Sequence, residues 1–172
     1  MKIYAMNFED DYDKKFMESV LINHQEPFQI EFILANYKSE KIKKIADFSF
    51  CFKSSEIADD VMSFAVNIGL YSQHAFESIK GFLDLQNCIL YKVWYEKSLF
   101  YLIYPPLIIP QEQADEYVDI EEVMRRFYIP NTHFFIPSQR YSTAYVTEEF
   151  RQNALKHKVT GMGFQLKWEG EL

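Results

Sequence analysis

The stretch from Ile129 to Trp168 constrains the fold more than any other, because it reads as strand, helix, strand. His133 to Ile136 is a short apolar and aromatic run of strand type. A polar and aromatic connection leads to Thr147, which is placed to cap a helix. Glu148 and Glu149 then fall in the first turn, where carboxylates meet the positive end of the helix dipole. Lys156, His157 and Lys158 fall in the last turn, where cations are favoured. Phe150, Ala154 and Leu155 give the helix one apolar stripe. Thr160–Gly161 breaks it, and Met162, Phe164, Leu166 and Trp168 alternate with Gly163, Gln165 and Lys167. That period of two predicts a half-buried closing strand. The expected class is α+β, a single domain with a largely antiparallel sheet and helices packed on one face.

The same segment carries a family resemblance. A strand written His-Phe-Phe-Ile-Pro-Ser (133–138), a polar helix and the ending Val159-Thr160-Gly161-Met162-Gly163-Phe164 resemble the C-terminus of bacterial immunity proteins. Such proteins neutralise toxins of interbacterial competition and polymorphic toxin systems. The family's closing pattern is leucine-threonine-glycine, two residues, phenylalanine, two residues, then often tryptophan. It falls here on Val159, Thr160, Gly161, Phe164 and Trp168, with valine in place of leucine and the tryptophan one residue late. Ser55–Glu56, at a helix start after a strand, resembles the family's middle section. The resemblance implies a cytoplasmic, non-catalytic protein that binds a cognate toxin or effector one to one and occludes its active site or substrate access. It implies no cofactor and no metal.

Length and composition are compatible with that. A chain of 172 residues suits one domain with a real core. Its 16 Phe and 12 Tyr are read first as an aromatic core, and second as a source of interface tyrosines. A net charge of −7 argues against nonspecific nucleic-acid binding, which needs Lys and Arg on phosphates, and permits a basic protein partner. No apolar run is long enough for a membrane span. The first residues lack the apolar core of a signal peptide. Cys51 and Cys88 stand far apart, among apolar residues, and read as buried free thiols. The expected compartment is the cytoplasm.

Along the rest of the chain, Lys2 to Met6 and Phe28 to Leu34 read as strands. Phe16, Met17, Val20 and Leu21 fit a short helix, and Lys38 to Lys44 a solvated basic patch. Asp47 to Lys53 reads as an edge strand. Ser54 or Ser55 should start a helix with the stripe Ile57, Val61, Phe64, Ala65 and Ile68, stopped by Gly69. A shorter helix should span Tyr71 to Lys80. Cys88 to Trp94 and Leu99 to Tyr104 should form a hairpin near the middle of the sheet, with the strand at 162–168 in that same sheet.

Catalytic motifs give no support for an enzyme. His24, His74, His133 and His157 are scattered without metal-ligand spacing. A GxSxG elbow and a phosphate-binding loop are absent from the sequence, and Gly161-Met162-Gly163 follows a helix, the wrong context for a dinucleotide site. The acidic stretch Gln111 to Glu122 lacks the order and the turn glycine of a calcium loop. It is either a solvated loop or a negative surface for a toxin's basic face. On the second view the candidate anchors are Asp115, Glu116, Tyr117 and Asp119, with Tyr141 and Tyr145 from the connection before the last helix. The alternatives are a small enzyme with a pocket of convergent polar groups, or a homodimer joined through edge strands or aromatics.

Overall fold

The structure, a computed structural model, describes residues 1–8, 20–21, 48–51, 59–65, 68–95, 98–113, 119–138 and 140–171. It is an α+β fold with largely antiparallel pairing, divided into two sheets. The first sheet holds β1 (Lys2–Phe8), β8 (Phe134–Phe135), β9 (Ala144–Thr147) and β10 (Met162–Glu169), in the order β10-β1-β9-β8. The second holds β2 (Val20–Leu21), β3 (Phe48–Cys51), β4 (Val61–Ala65), β5 (Ile68–Ser72), β6 (Ile89–Tyr95) and β7 (Ser98–Tyr104), in the order β2-β3-β6-β7-β5-β4. Among the described residues three α-helices accompany them: α1 (Gln73–Ile79), α2 (Ile120–Phe127) and α3 (Glu148–Lys156).

The C-terminal strand, helix and strand form as the sequence predicts. Thr147 caps α3 by accepting from the Phe150 N–H, and Glu148 and Glu149 fill its first turn. At the far end the Lys158 N–H donates to Leu155 and the Val159 N–H to Ala154, at 3.0 and 3.1 Å. This is the Schellman closure, with Lys158 in the left-handed conformation at φ 55° and buried Val159 meeting buried Ala154. Leu155, expected in the buried stripe, is 48% exposed, because Phe150 and Ala154 alone face the sheet. The strand entering α3 is β9, within what reads from sequence as a connection; pairing with β1 and β8 makes Ala144–Thr147 a strand.

The hairpin of β6 and β7 lies at the centre of the second sheet, paired from Ile89–Tyr104 to Tyr95–Ser98. Other expectations are corrected. The closing strand β10 joins the first sheet instead, antiparallel to β1. β3 is not an edge: it lies between β2 and β6, parallel to the latter. Val20–Leu21 pairs with Cys51–Phe50 as a strand, not a helix. The expected helix through Val61, Phe64, Ala65 and Ile68 is an antiparallel pair, β4 and β5. Its buried residues come as neighbours, Val61 with Met62 and Leu70 with Tyr71, which suits strands covered on both faces. β5 gains a full ladder from β7, from Gly69–Ile103 to Ser72–Phe100. Gly69 does not stop a helix; it lies under the Tyr71 ring, which leaves no room for a Cβ. The strand expected at Phe28–Leu34, the basic patch 38–44 and the helix start at Ser54–Ser55 fall outside the described residues.

Buried side chains of both sheets form one continuous core, from Ile3 and Met6 through Leu70 and Tyr71 to Phe134 and Ile136. α1 packs on the second sheet through Phe76, stacked on Tyr101 at 3.8 Å between centroids. α3 packs on the first through Phe150, 5.3 Å from Phe134.

The two sheets meet where β10 begins. Gly161 has φ +84°, and a Cβ there would sit 2.0 Å from the Val61 carbonyl oxygen. Its Cα is the only kind the site admits. Gly161→Ala should therefore lower stability by about 2 kcal/mol or more, from strain and collision together. Lys158→Gly should act in the opposite sense, adding about 1 kcal/mol by removing the cost of a side chain at positive φ. Urea unfolding of both variants checks the two signs.

Candidate functional site

Three groupings of polar or exposed side chains stand out, and each is built from neighbouring elements. The first is a polar clasp between the sheets. The Asp60 N–H donates to Thr160 Oγ1 at 3.0 Å, and the Thr160 N–H donates back to Asp60 Oδ2 at 3.3 Å. Ser72 Oγ donates to Asp60 Oδ1 at 2.7 Å and accepts from the Ala75 N–H at 3.1 Å, capping α1. His74 Nε2 donates to the His157 carbonyl at 3.0 Å and stands 4.0 Å from Asp60 Oδ2. Asn153 also bonds the Ser78 carbonyl, tying α3 to α1. Serine, histidine and aspartate are thus close together, yet not in nucleophilic order. The Ser72 proton goes to the carboxylate, where a nucleophile would need it on the imidazole. The clasp is structural chemistry.

The second grouping fixes α3 to β1. Glu148 accepts from Tyr4, bonds Arg151 Nη1 at 3.1 Å, and accepts from Gln152 at 2.5 Å. The Arg151 guanidinium lies 4.9 Å over the Tyr4 ring. The Tyr4 hydrogen bond holds the Glu148 carboxyl below its usual range, and the same bond pushes the Tyr4 phenol up.

The third is a surface cleft of about 300 Å³. Asp84, Asn87, Pro106, Leu107, Ile108, Ile129 and Thr132 line it. Three segments build it. The first is the turn after α1, where Asp84 Oδ1 accepts from the Gln86 and Asn87 N–H groups and Oδ2 from Asn87 Nδ2 at 2.7 Å. The second is the Pro-Pro exit from β7, held to Ile136 through the Ile108 N–H. The third is the turn Ile129–Thr132 after α2, with Asn131 at φ 69°. Ile129 is 56% exposed, and so is Leu85 beside Asp84. Behind the turn, burial and the Asp84 charge push the Cys88 thiol up to about 11.

The sequence-derived anchors distribute unevenly over these features. Asp115, Glu116 and Tyr117 fall outside the described residues. Asp119 is exposed and caps α2, accepting from the Glu122 N–H at 2.9 Å. α2 itself was not legible as a helix, although Asp119-x-x-Glu122 has capping-box form and Val123 and Met124 are buried. Its acids are matched: Glu121 pairs with Arg125 at 2.5 Å and Glu122 with Arg126 at 2.6 Å. The stretch is therefore less negative than its first half reads. Tyr141 is buried and Tyr145 half-buried. Tyr145 stacks on Phe135 at 6.0 Å, Tyr141 meets Tyr145 edge-on at 6.5 Å, and Tyr128 meets Phe135 at 6.5 Å. These rings run from the end of α2 to Tyr141 and support the surface beside them. Sequence reasoning missed the cleft, because its three walls are far apart in the chain.

No protein-family model matches the chain, and no curated protein matches it in sequence. Among the described residues no group of three His, Cys, Asp or Glu could hold a metal ion, and no helix is long and apolar enough to cross a membrane.

The Cys88 environment gives a pH prediction. In a Cys51→Ser chain, alkylation of Cys88 should be slow at pH 8 and rise roughly tenfold per pH unit to about pH 11. A plateau near pH 9 would contradict the environment described. The neutral thiol's contribution to stability is complete below about pH 9, where the unfolded thiol is also protonated, and is lost as pH rises through about 11.

Proposed function

We propose that this chain is an immunity-type protein of the cytoplasm, which binds a cognate toxin domain and blocks its active site or substrate access without catalysis of its own. The observation that carries the reading is the exposed pair Leu85 and Ile129 at a cleft edged by the Asp84 carboxylate, on a chain of net charge −7. Apolar anchors beside a carboxylate, on a chain of net negative charge, suit a basic protein partner. The anchors supply affinity, and the charge speeds encounter and disfavours wrong partners. A stable complex of this kind buries roughly 1,200–2,000 Å² in total.

The ending Val159-Thr160-Gly161 supports the reading indirectly. Val159 closes the Schellman turn, Thr160 makes the clasp, and Gly161 allows the sheets to touch. Phe164 and Trp168 pack against the core. Each position of the resembling pattern has a fold-bearing task, which is what a family of divergent binding surfaces on one scaffold requires.

The test is co-expression. The product of the adjacent gene is induced in a bacterial cytosol with and without this protein, and the pair is then purified by a tag on this chain. The expected outcome is toxicity, rescue, and a one-to-one complex whose association slows as salt rises. A harmless neighbour that is not retained would refute the proposal.

A further inference from the structure

The cleft beside Asp84 has a chemistry that specifies its occupant. Its described walls are apolar at Pro106, Leu107, Ile108 and Ile129, with Asn87 and Thr132 as neutral polar groups. Asp84 is the one charged side chain among those described lining residues. Its carboxylate is held in orientation by three hydrogen bonds from Gln86 and Asn87. All three donors are neutral, and among the described residues no cation pairs with it. The charge of Asp84 is therefore fixed in place and uncompensated among the described residues, and its influence already reaches the Cys88 thiol.

Now consider what could fill this space. A purely apolar side chain would strip water from the carboxylate and return nothing, which is costly for a charged group. An anion would face the same charge. A lysine or arginine meets both demands, because its long stem packs on apolar walls while its charged end reaches a carboxylate. The volume, about 300 Å³, lies at the low end of the range for small ligands and suits one long side chain.

We propose that the cleft is a receptor for a single lysine or arginine side chain of a protein partner. The stem lies against Leu107, Ile108 and Ile129, and the cationic end pairs with Asp84. As an anchor for a toxin this rests on the function proposed above; as a cation-accepting cleft it stands on its own geometry.

The experiment separates the two. The full chain, labelled with ¹⁵N, is titrated at low salt with N-acetyl-arginine amide, N-acetyl-lysine amide and the uncharged N-acetyl-norleucine amide. The two cationic probes should shift the backbone amides of 84–88, 107–108, 129 and 131–132, saturating in the millimolar range. Norleucine amide should bind about tenfold more weakly, or not at all. Asp84→Asn keeps an acceptor for the Gln86 and Asn87 N–H groups while removing the charge, and should weaken the cationic probes about tenfold. Equal binding of norleucine amide, full binding to Asp84→Asn, or no shift at these amides would each overturn the cleft proposal. In the co-expression assay Asp84→Asn should weaken the complex. Full rescue by Asp84→Asn would leave the immunity reading intact and overturn the anchor. Cation binding without any toxin rescue would overturn the immunity reading and leave the cleft.

Discussion

The two sheets are tied to each other by the polar clasp of Asp60, Ser72 and Thr160. Two sheets with different strand orders share one core, and apolar packing alone does not set their register. The reciprocal bonds of Asp60 and Thr160 do so, because each residue both donates and accepts, at 3.0 and 3.3 Å. The Val61 N–H adds a backbone bond to the Thr160 carbonyl at 3.1 Å. Gly161 lets the chains approach closely enough for these bonds to form. The bonds of Asp60 and Thr160 face solvent and that of Ser72 is part-buried, so each contributes about 0.5–1.5 kcal/mol. The same carboxylate, through Ser72, caps α1 and so orients the chain leading into the turn of Asp84.

What was legible in the sequence is what is local. α3 announces both ends through Thr147, Glu148, Lys156 and His157, and the structure places them accordingly. The β6–β7 hairpin is equally local, two β-rich runs around a short connection. What was not legible depends on partners far away. Val61, Phe64, Ala65 and Ile68 match helical spacing, but β7 supplies a ladder that no local pattern records. The need for glycine at 161 lies in the Val61 carbonyl, a hundred positions earlier. α2 failed for a different reason: its acids dominate its composition, while the compensating Arg125 and Arg126 and the buried Val123 and Met124 come after them.

The candidate surface follows the same logic. Tyr141 and Tyr145 were singled out for being aromatic in a polar connection, and the structure uses them as supports: Tyr145 stacks on Phe135 and Tyr141 braces Tyr145. The exposed residues beside the cleft, Leu85 and Ile129, carry no pattern of their own. They become neighbours of one carboxylate only when the turn after α1, the exit of β7 and the turn after α2 come together. A surface assembled from such distant segments is hard to read in sequence for this reason.

The central claim is that the clasp makes the two sheets one cooperative unit. The chain's two tryptophans lie one in each sheet, Trp94 in β6 and Trp168 in β10. Single-tryptophan chains, Trp94→Phe and Trp168→Phe, allow each sheet to be followed separately by fluorescence during urea unfolding, with circular dichroism as a common reference. The account predicts that, in each chain, the fluorescence transition coincides with the circular dichroism transition. Fluorescence from one sheet that changes at a clearly lower urea concentration than the circular dichroism of the same chain would contradict it.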